Sequence, residues 1–130
     1  MDFSFDHVHL ICRDVKGMAE FFERVFGGER ILDDPDFHGA PNIVVRVGAA
    51  KVFCRGVRPN EKPGPSCGGS VMGLDHFSFT VEDTREAAEF VRARGARFIR
   101  EPGPSGLGGR WTAYIQAPEE VRIELSQRTI

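Results

Sequence analysis

The chain has 130 residues, of which 28% are charged and 41% hydrophobic, and its formal net charge is −2 at pH 7. This length and composition predict one soluble globular domain with a core of its own. The small negative charge and the lack of a basic run argue against a nucleic-acid partner, and no apolar stretch has the length of a membrane span. The odd number of widely spaced cysteines and a start without the basic residues of a secretion signal favour a reducing cytoplasm.

The first half of the chain predicts a βαβββ module. The run from Phe5 to Arg13 is rich in β-branched and aromatic residues and is typical of a strand, and Asp14 is a candidate helix N-cap. Apolar residues then recur at helical spacing until Gly27-Gly28 ends the pattern. Three short strands are predicted to follow, at 30–32, 42–47 and 51–55.

A second module is predicted beyond a segment rich in Gly, Pro and Ser, residues 56–73, which is typical of a linker or mobile loop. Its first strand covers 74–81, Asp83 is the N-cap of its helix, and Gly95 closes that helix. The remaining strands are predicted at 97–100, 111–116 and 121–126, with a flexible loop at 103–109. The predicted fold is therefore a single α+β domain, residues 1–130, made of two tandem βαβββ modules at about 1–56 and 73–130.

The two modules share a sequence repeat. A shift of 69 positions places Asp6-His7 on Asp75-His76, Asp14 on Asp83, and Ala19-Glu20-Phe21 on Ala88-Glu89-Phe90. A repeat of this length is a whole supersecondary unit. It puts a histidine at the same point of the first strand of each module.

Side-chain alternation along the predicted strands gives these histidines a common orientation. His7 and His76 lie on the faces opposite the apolar ones, which should pack under the helices. In the last strand Glu124 lies on the polar face, opposite Ile123 and Leu125. Two imidazoles and one carboxylate form a facial triad that suits Fe(II), Mn(II) or related divalent ions and leaves positions open for substrate and water. The sequence therefore predicts a divalent metal ion bound by His7, His76 and Glu124. The alternative is that the histidines only make hydrogen bonds at the ends of the strands.

The repeat unit DHV…D…AEFF…GG, its counterpart DHFSFTVED…AEFVRARGARF and the closing WTAYIQAPEEVRIEL resemble the vicinal oxygen chelate superfamily. That superfamily includes glyoxalase I, methylmalonyl-CoA epimerase, extradiol ring-cleavage dioxygenases, fosfomycin-resistance enzymes and bleomycin-binding proteins. The resemblance implies a half-open barrel of paired βαβββ modules around a divalent metal, a small-molecule substrate, and a homodimer whose sites can combine modules of both subunits. It also implies the same three ligands, His7, His76 and Glu124.

The chain departs from glyoxalase I and the epimerase at one position, and this departure bears on the reaction. Glyoxalase I and the epimerase have a fourth ligand, Glu or Gln, at the end of the first module, and Phe53 occupies that place here. The three-ligand pattern resembles extradiol dioxygenases and fosfomycin-resistance enzymes. We therefore favour an Fe(II)-dependent extradiol-type dioxygenase of a phenolic or quinonoid compound, with Mn, Ni, Zn or Co as alternative metals. The alternative functions are a glyoxalase-like lyase or isomerase, a fosfomycin-resistance-type enzyme, and a metal-free drug-binding protein.

Two other side chains are candidates for catalysis. Tyr114 lies ten residues before Glu124, where extradiol enzymes have a tyrosine near the metal-bound substrate; packing in the core is the alternative. His9 shares a strand face with His7 and could transfer a proton near neutral pH, or could only hydrogen-bond a neighbouring strand. The usual extradiol catalytic histidine has no counterpart at 56–73, so His9 or His38 would have to replace it.

Overall fold

The computed structural model describes residues 1–129. The chain forms two compact units, divided between Pro65 and Ser66, inside the segment predicted as a linker. Each unit has the order βαβββ, so the predicted α+β class with tandem βαβββ modules is confirmed. None of the helices in the described part of the chain is long and apolar enough to span a membrane.

The first unit is a four-stranded sheet with a helix on one face. Its elements are β1 (His7–Ile11), α1 (Val15–Phe26), β2 (Glu29–Phe37), β3 (Ala40–Val47) and β4 (Ala50–Arg55). The strand order is β1-β4-β3-β2, with β1 parallel to β4 and the other neighbours antiparallel. The core lies between α1 and the sheet, and its fully buried side chains include Met18, Phe22, Val25, Val45 and Cys54.

The second unit repeats this arrangement. Its elements are β5 (Phe77–Val81), α2 (Thr84–Arg92), β6 (Arg97–Gly103), β7 (Thr112–Gln116) and β8 (Arg122–Gln127). The strand order is β5-β8-β7-β6, and β5 is parallel to β8. Its core lies under α2 and includes the buried Ala88, Val91, Ile115, Ile123 and Leu125.

Both predicted helix N-caps are confirmed. Asp14 accepts a hydrogen bond from the backbone N–H of Gly17 at 2.9 Å, and Asp83 accepts two, from the first turn of α2. Each bond satisfies a backbone donor that the helix itself leaves without a partner. The predicted end of α2 is displaced: the helix ends at Arg92 with Ala93 as its C-cap, and Gly95 lies two residues beyond, at φ 89°.

The strands differ from the prediction mainly in length. β2 and β6 extend to Phe37 and Gly103, past the prolines at 35 and 102. Both are edge strands with register shifts near these prolines, so the missing N–H removes no bond that the sheet requires. β1 and β5 are shorter than predicted, and His76 directly precedes β5 instead of lying inside it.

Candidate metal centre

The ring of His76 is held by an acidic neighbour. Its Nδ1 lies 2.6 Å from Oδ2 of Asp75, and Asp75 also accepts a hydrogen bond of 2.8 Å from Arg122. The hydrogen bond to His76, aided by the charge of Arg122, lowers the pKa of Asp75, so this carboxyl is ionised at neutral pH. An ionised Asp75 favours the tautomer with its proton on Nδ1. The lone pair of His76 is then on Nε2, 3.4 Å from the Tyr114 hydroxyl, where it can bind a metal ion.

Glu124 faces the same Nε2. Its Oε2 lies 3.4 Å from His76 Nε2 and accepts a short hydrogen bond from the Tyr114 hydroxyl, while its Oε1 accepts one of 3.0 Å from the hydroxyl of Ser78. The pairing register explains the meeting, because Glu124 on β8 lies between its partners Ser78 on β5 and Tyr114 on β7. Burial and the bond to Glu124 raise the pKa of Tyr114 to about 12, so its phenol is protonated at neutral pH.

The first unit holds His7 in the same way. His7 Nδ1 lies 2.6 Å from Asp6 Oδ2, and Asp6 Oδ1 accepts a hydrogen bond of 2.8 Å from Lys51. The hydrogen bonds from Lys51 and His7 lower the pKa of Asp6. The ring of His7 stacks on that of Phe53, with centroids 3.9 Å apart. In both units, therefore, a histidine is hydrogen-bonded to the aspartate before it, and that aspartate is hydrogen-bonded to a basic residue of the neighbouring strand.

Phe53 occupies in the first unit the position that Glu124 has in the second. Phe53 on β4 pairs with His9 on β1, and Glu124 on β8 pairs with Ser78 on β5. His9 and Ser78 are themselves related by the 69-residue shift of the repeat. The first unit thus has an imidazole with its acidic partner at this site, and a phenyl ring where a carboxylate would lie.

His9 lies edge-on to Phe53, with ring centroids 5.2 Å apart. Partial burial lowers the pKa of His9, and the neighbouring basic side chains, Arg55 foremost, lower it further, against a smaller opposing effect of Asn42. Its ring is therefore neutral at pH 7, as a proton acceptor must be. His38, in the turn between β2 and β3, has φ 57° and lies against Phe37.

The structure brings together two of the three predicted ligands, His76 and Glu124, and adds Tyr114 to them. His7 lies in the other unit. Among residues 1–129 no group of three or more His, Cys, Asp or Glu side chains is close enough to hold a metal ion. The donors nevertheless fit a divalent cation, because an imidazole with its lone pair on Nε2 and a carboxylate are ligands of Fe, Mn, Ni, Zn and Co.

The acidic partners of the two histidines were missed at the level of the sequence. Asp6 and Asp75 precede His7 and His76 directly, and the dipeptide Asp-His occurs in both modules. That repetition was the available signal, because a metal-binding histidine usually donates its other ring N–H to a carboxylate or carbonyl.

Comparison with known proteins identifies the family of the chain. The profile of a family described as the Glyoxalase/Bleomycin resistance protein/Dioxygenase superfamily matches residues 4–125. The chain belongs to this superfamily. The resemblance to vicinal oxygen chelate proteins, of which this is the family description, is thereby confirmed.

Curated members of the glyoxalase superfamily match part of the chain. A putative lactoylglutathione lyase of Brassica oleracea var. gemmifera is 39% identical over 56 residues, which cover 43% of this chain and 20% of that protein. A probable lactoylglutathione lyase of Synechocystis is 34% identical over 55 residues, 42% of each chain. The matched segment thus spans less than half of each relative. Neither relative is named a dioxygenase.

Solved structures of the superfamily share the fold of the whole chain. A glyoxalase family protein from Enterococcus faecalis has a TM-score of 0.77 at 17% identity, covering 95% of this chain and 97% of its own. A glyoxalase I variant from Zea mays has a TM-score of 0.75 at 23% identity, covering 95% of this chain and 44% of its own. The fosfomycin resistance protein FosX of Listeria monocytogenes, solved with Mn(II), has a TM-score of 0.72 at 18% identity, covering 100% and 94%.

Proposed function

We propose that this chain is a divalent-metal-dependent enzyme that binds a small molecule through two neighbouring oxygens. The observation that supports the proposal most strongly is the cluster of Asp75, His76, Glu124 and Tyr114 in the second unit. It combines a metal-binding nitrogen, the acid that orients it, a carboxylate and a phenol. An imidazole and a carboxylate are ligands of divalent metals, and members of the superfamily typically bind such a metal.

The proposed ligands are Nε2 of His76, the carboxylate of Glu124 and Nε2 of His7. His7 has the same acidic partner arrangement as His76, which is the feature that supports including it. It comes from the same chain or from a second copy in a homodimer. When bound, a divalent ion would act as a Lewis acid toward the substrate oxygens.

The surrounding residues orient the ligands and limit their charge. Asp75 keeps the proton of His76 on Nδ1, and Arg122 keeps Asp75 in place. Ser78 donates to one oxygen of Glu124 and Tyr114 to the other, so the carboxylate is fixed in one orientation. Because the phenol stays protonated, Tyr114 can donate the same hydrogen bond to a substrate oxygen once Glu124 is engaged elsewhere.

The reaction we propose first is that of a lyase or isomerase, in which a proton moves between neighbouring carbons or oxygens. The names of the curated relatives support this class. His9 is the candidate base, since its ring is neutral and it lies on the strand face of His7.

Extradiol oxygenation of a phenolic or quinonoid compound, which the sequence favours, is the second candidate. Phe53 supports it, because a phenyl ring at the fourth ligand position leaves a three-ligand set with Fe(II) as the natural metal. The comparisons add no specific support for it.

One assay separates these candidates. The protein is loaded with Fe(II), Mn, Ni, Zn or Co without oxygen, and substituted catechols and lactoylglutathione are tested with an oxygen electrode. Turnover without oxygen consumption supports the lyase or isomerase, and equimolar oxygen consumption supports the dioxygenase. No metal uptake combined with tight ligand binding after chelator treatment would overturn both and favour a drug-binding protein.

A further inference from the structure

A polar cluster on the sheet of the first unit lies beside His7 but outside the proposed ligand set. It consists of His9 on β1, Asn42 on β3, Arg55 at the end of β4 and Arg58 just beyond it. Asn42 pairs with Arg55 in the sheet, and His9 pairs with the residue two before Arg55. Side-chain alternation puts all three strand residues on the face opposite α1.

Asn42 is the anomaly in this cluster. Its side chain is buried, with only 4% of the residue exposed, and its Oδ1 has no hydrogen-bond partner among the described residues. Its carboxamide lies beside the ring of His9 and opposes the lowering of the pKa of that imidazole, the smallest of the effects on the group, but no described N–H is in hydrogen-bond geometry with Oδ1. A buried carbonyl oxygen without a donor is costly, and native proteins rarely retain one without a use.

The cluster also carries one positive charge in excess. Both Nη atoms of Arg55 donate to Glu61, at 2.6 and 2.8 Å, and the same carboxylate accepts the backbone N–H of Arg58 at 2.8 Å. The guanidinium of Arg58 pairs with no carboxylate in residues 1–129, and its buried Nε has no acceptor there. Glu61 therefore pairs with only one of the two guanidinium groups. The other, that of Arg58, lies over the ring of Phe37 at 5.9 Å from its centroid, and its Nε–H has no described acceptor.

We propose that this polar cluster binds the acidic group of a small-molecule ligand together with a neighbouring hydroxyl or amide N–H. Arg58 donates to the anionic oxygen, and Asn42 Oδ1 accepts from the hydroxyl or N–H. The ligand class is a small carboxylate, phosphate or phosphonate with a hydrogen-bond donor on the next atom. The proposal rests on the proposed function in one respect, because it takes the His7 face of the sheet as the face that meets substrate.

Binding of simple acids to the full-length chain tests this directly. Glycolate, acetate and phosphate are titrated into protein as purified and after chelator treatment, followed by calorimetry and by the NMR signals of Asn42 Nδ2 and Arg58 Nε. We expect glycolate to bind more tightly than acetate, in both preparations, and to shift both signals. Because chelator-treated protein is included, a failure of metal binding leaves this result intact, and the two proposals can fail separately.

Variants assign the two roles. Arg58→Gln should weaken glycolate binding about tenfold, the order expected for a charge-assisted hydrogen bond, and Lys62→Gln, which removes a charge from the same segment, should not. Asn42→Leu should abolish the difference between glycolate and acetate while leaving the melting temperature equal or higher, because it removes an unsatisfied buried group. Phosphate binding that depends on Arg58 alone would support the acid site for phosphate ligands as well.

Three outcomes would overturn the proposal. They are acids that shift neither signal, equal losses in Arg58→Gln and Lys62→Gln, and an Asn42→Leu variant that melts lower yet keeps the preference for glycolate.

Discussion

The two histidines proposed as metal ligands each depend on the residue directly before them. Asp75 fixes the tautomer and the orientation of His76, and Asp6 does the same for His7. The histidines themselves were predictable, because they recur in both halves of the sequence. Tyr114 was predicted to lie near a metal-bound substrate or to pack in the core, and the structure places it against Glu124, its cross-strand partner. The orphaned Asn42 Oδ1 was not predictable, because its burial depends on packing across the sheet.

Asp75→Asn is the prediction that tests this orienting role. The neutral amide no longer holds the proton of His76 on Nδ1, so metal affinity should fall about 10- to 100-fold. The dissociation constant is measured by competition with a chelator. Asp2→Asn, an exposed change of the same kind, serves as the control. Equal affinities in the wild type and Asp75→Asn would show that Asp75 has no part in metal binding.

At the scale of the elements, helix starts were predicted correctly and the ends of the edge strands were not. The helix starts were predictable because an Asp side chain and the first-turn N–H groups are close in sequence. The lengths of β2 and β6 were not predictable, because in a sequence a proline inside an edge strand looks the same as a proline that ends a strand.

Asp83→Ala should destabilise the protein by about 1 kcal/mol, since two first-turn N–H groups of α2 lose their acceptor. Chemical denaturation measures the free energy of unfolding. Asp83→Ser, which retains a capping oxygen, should recover most of the loss. An unchanged midpoint in Asp83→Ala would mean that water replaces the cap without cost.

The Arg55–Glu61 ion pair, which joins β4 to the following segment, gives a pH prediction. The hydrogen bonds from Arg55 and Arg58 lower the pKa of Glu61 from 4.5 to about 2. A lowered folded-state pKa means that the pair stabilises the fold above pH 4.5 and loses this contribution as the pH falls to about 2. Glu61→Gln should therefore melt below wild type at pH 7, and the gap should close towards pH 2. A gap that is constant with pH would contradict an electrostatic origin.

At the scale of the whole molecule, the chain consists of two similar units that differ at one position of the proposed site. Both units keep the sheet order and the Asp–His pair, but Glu124 is matched by Phe53. The repeat made the fold predictable, and it is also the basis on which the metal ligands are proposed. The reaction was not predictable, because one exchanged side chain at equivalent positions is compatible with more than one chemistry.

Phe53→Glu would give the first unit the carboxylate that Glu124 provides in the second. In Phe53→Glu a carboxylate replaces the ring that stacks on His7, so metal should bind about tenfold more tightly, a gain of ~1.4 kcal/mol. Phe53→Leu, which removes the ring without adding a ligand, should not bind more tightly. Chelator competition measures both, and weaker binding in Phe53→Glu than in Phe53→Leu would argue against a site shared by the two modules.

The central claim is that His7, His76 and Glu124 hold one divalent metal ion. Anomalous diffraction from crystals grown with Fe(II), Mn(II) or Zn(II) tests it most directly. We predict a single anomalous peak about 2.0–2.2 Å from Nε2 of His76, Nε2 of a His7 and the carboxylate of Glu124. A fully loaded crystal without a peak at these three side chains, or with the metal bound elsewhere, would contradict it.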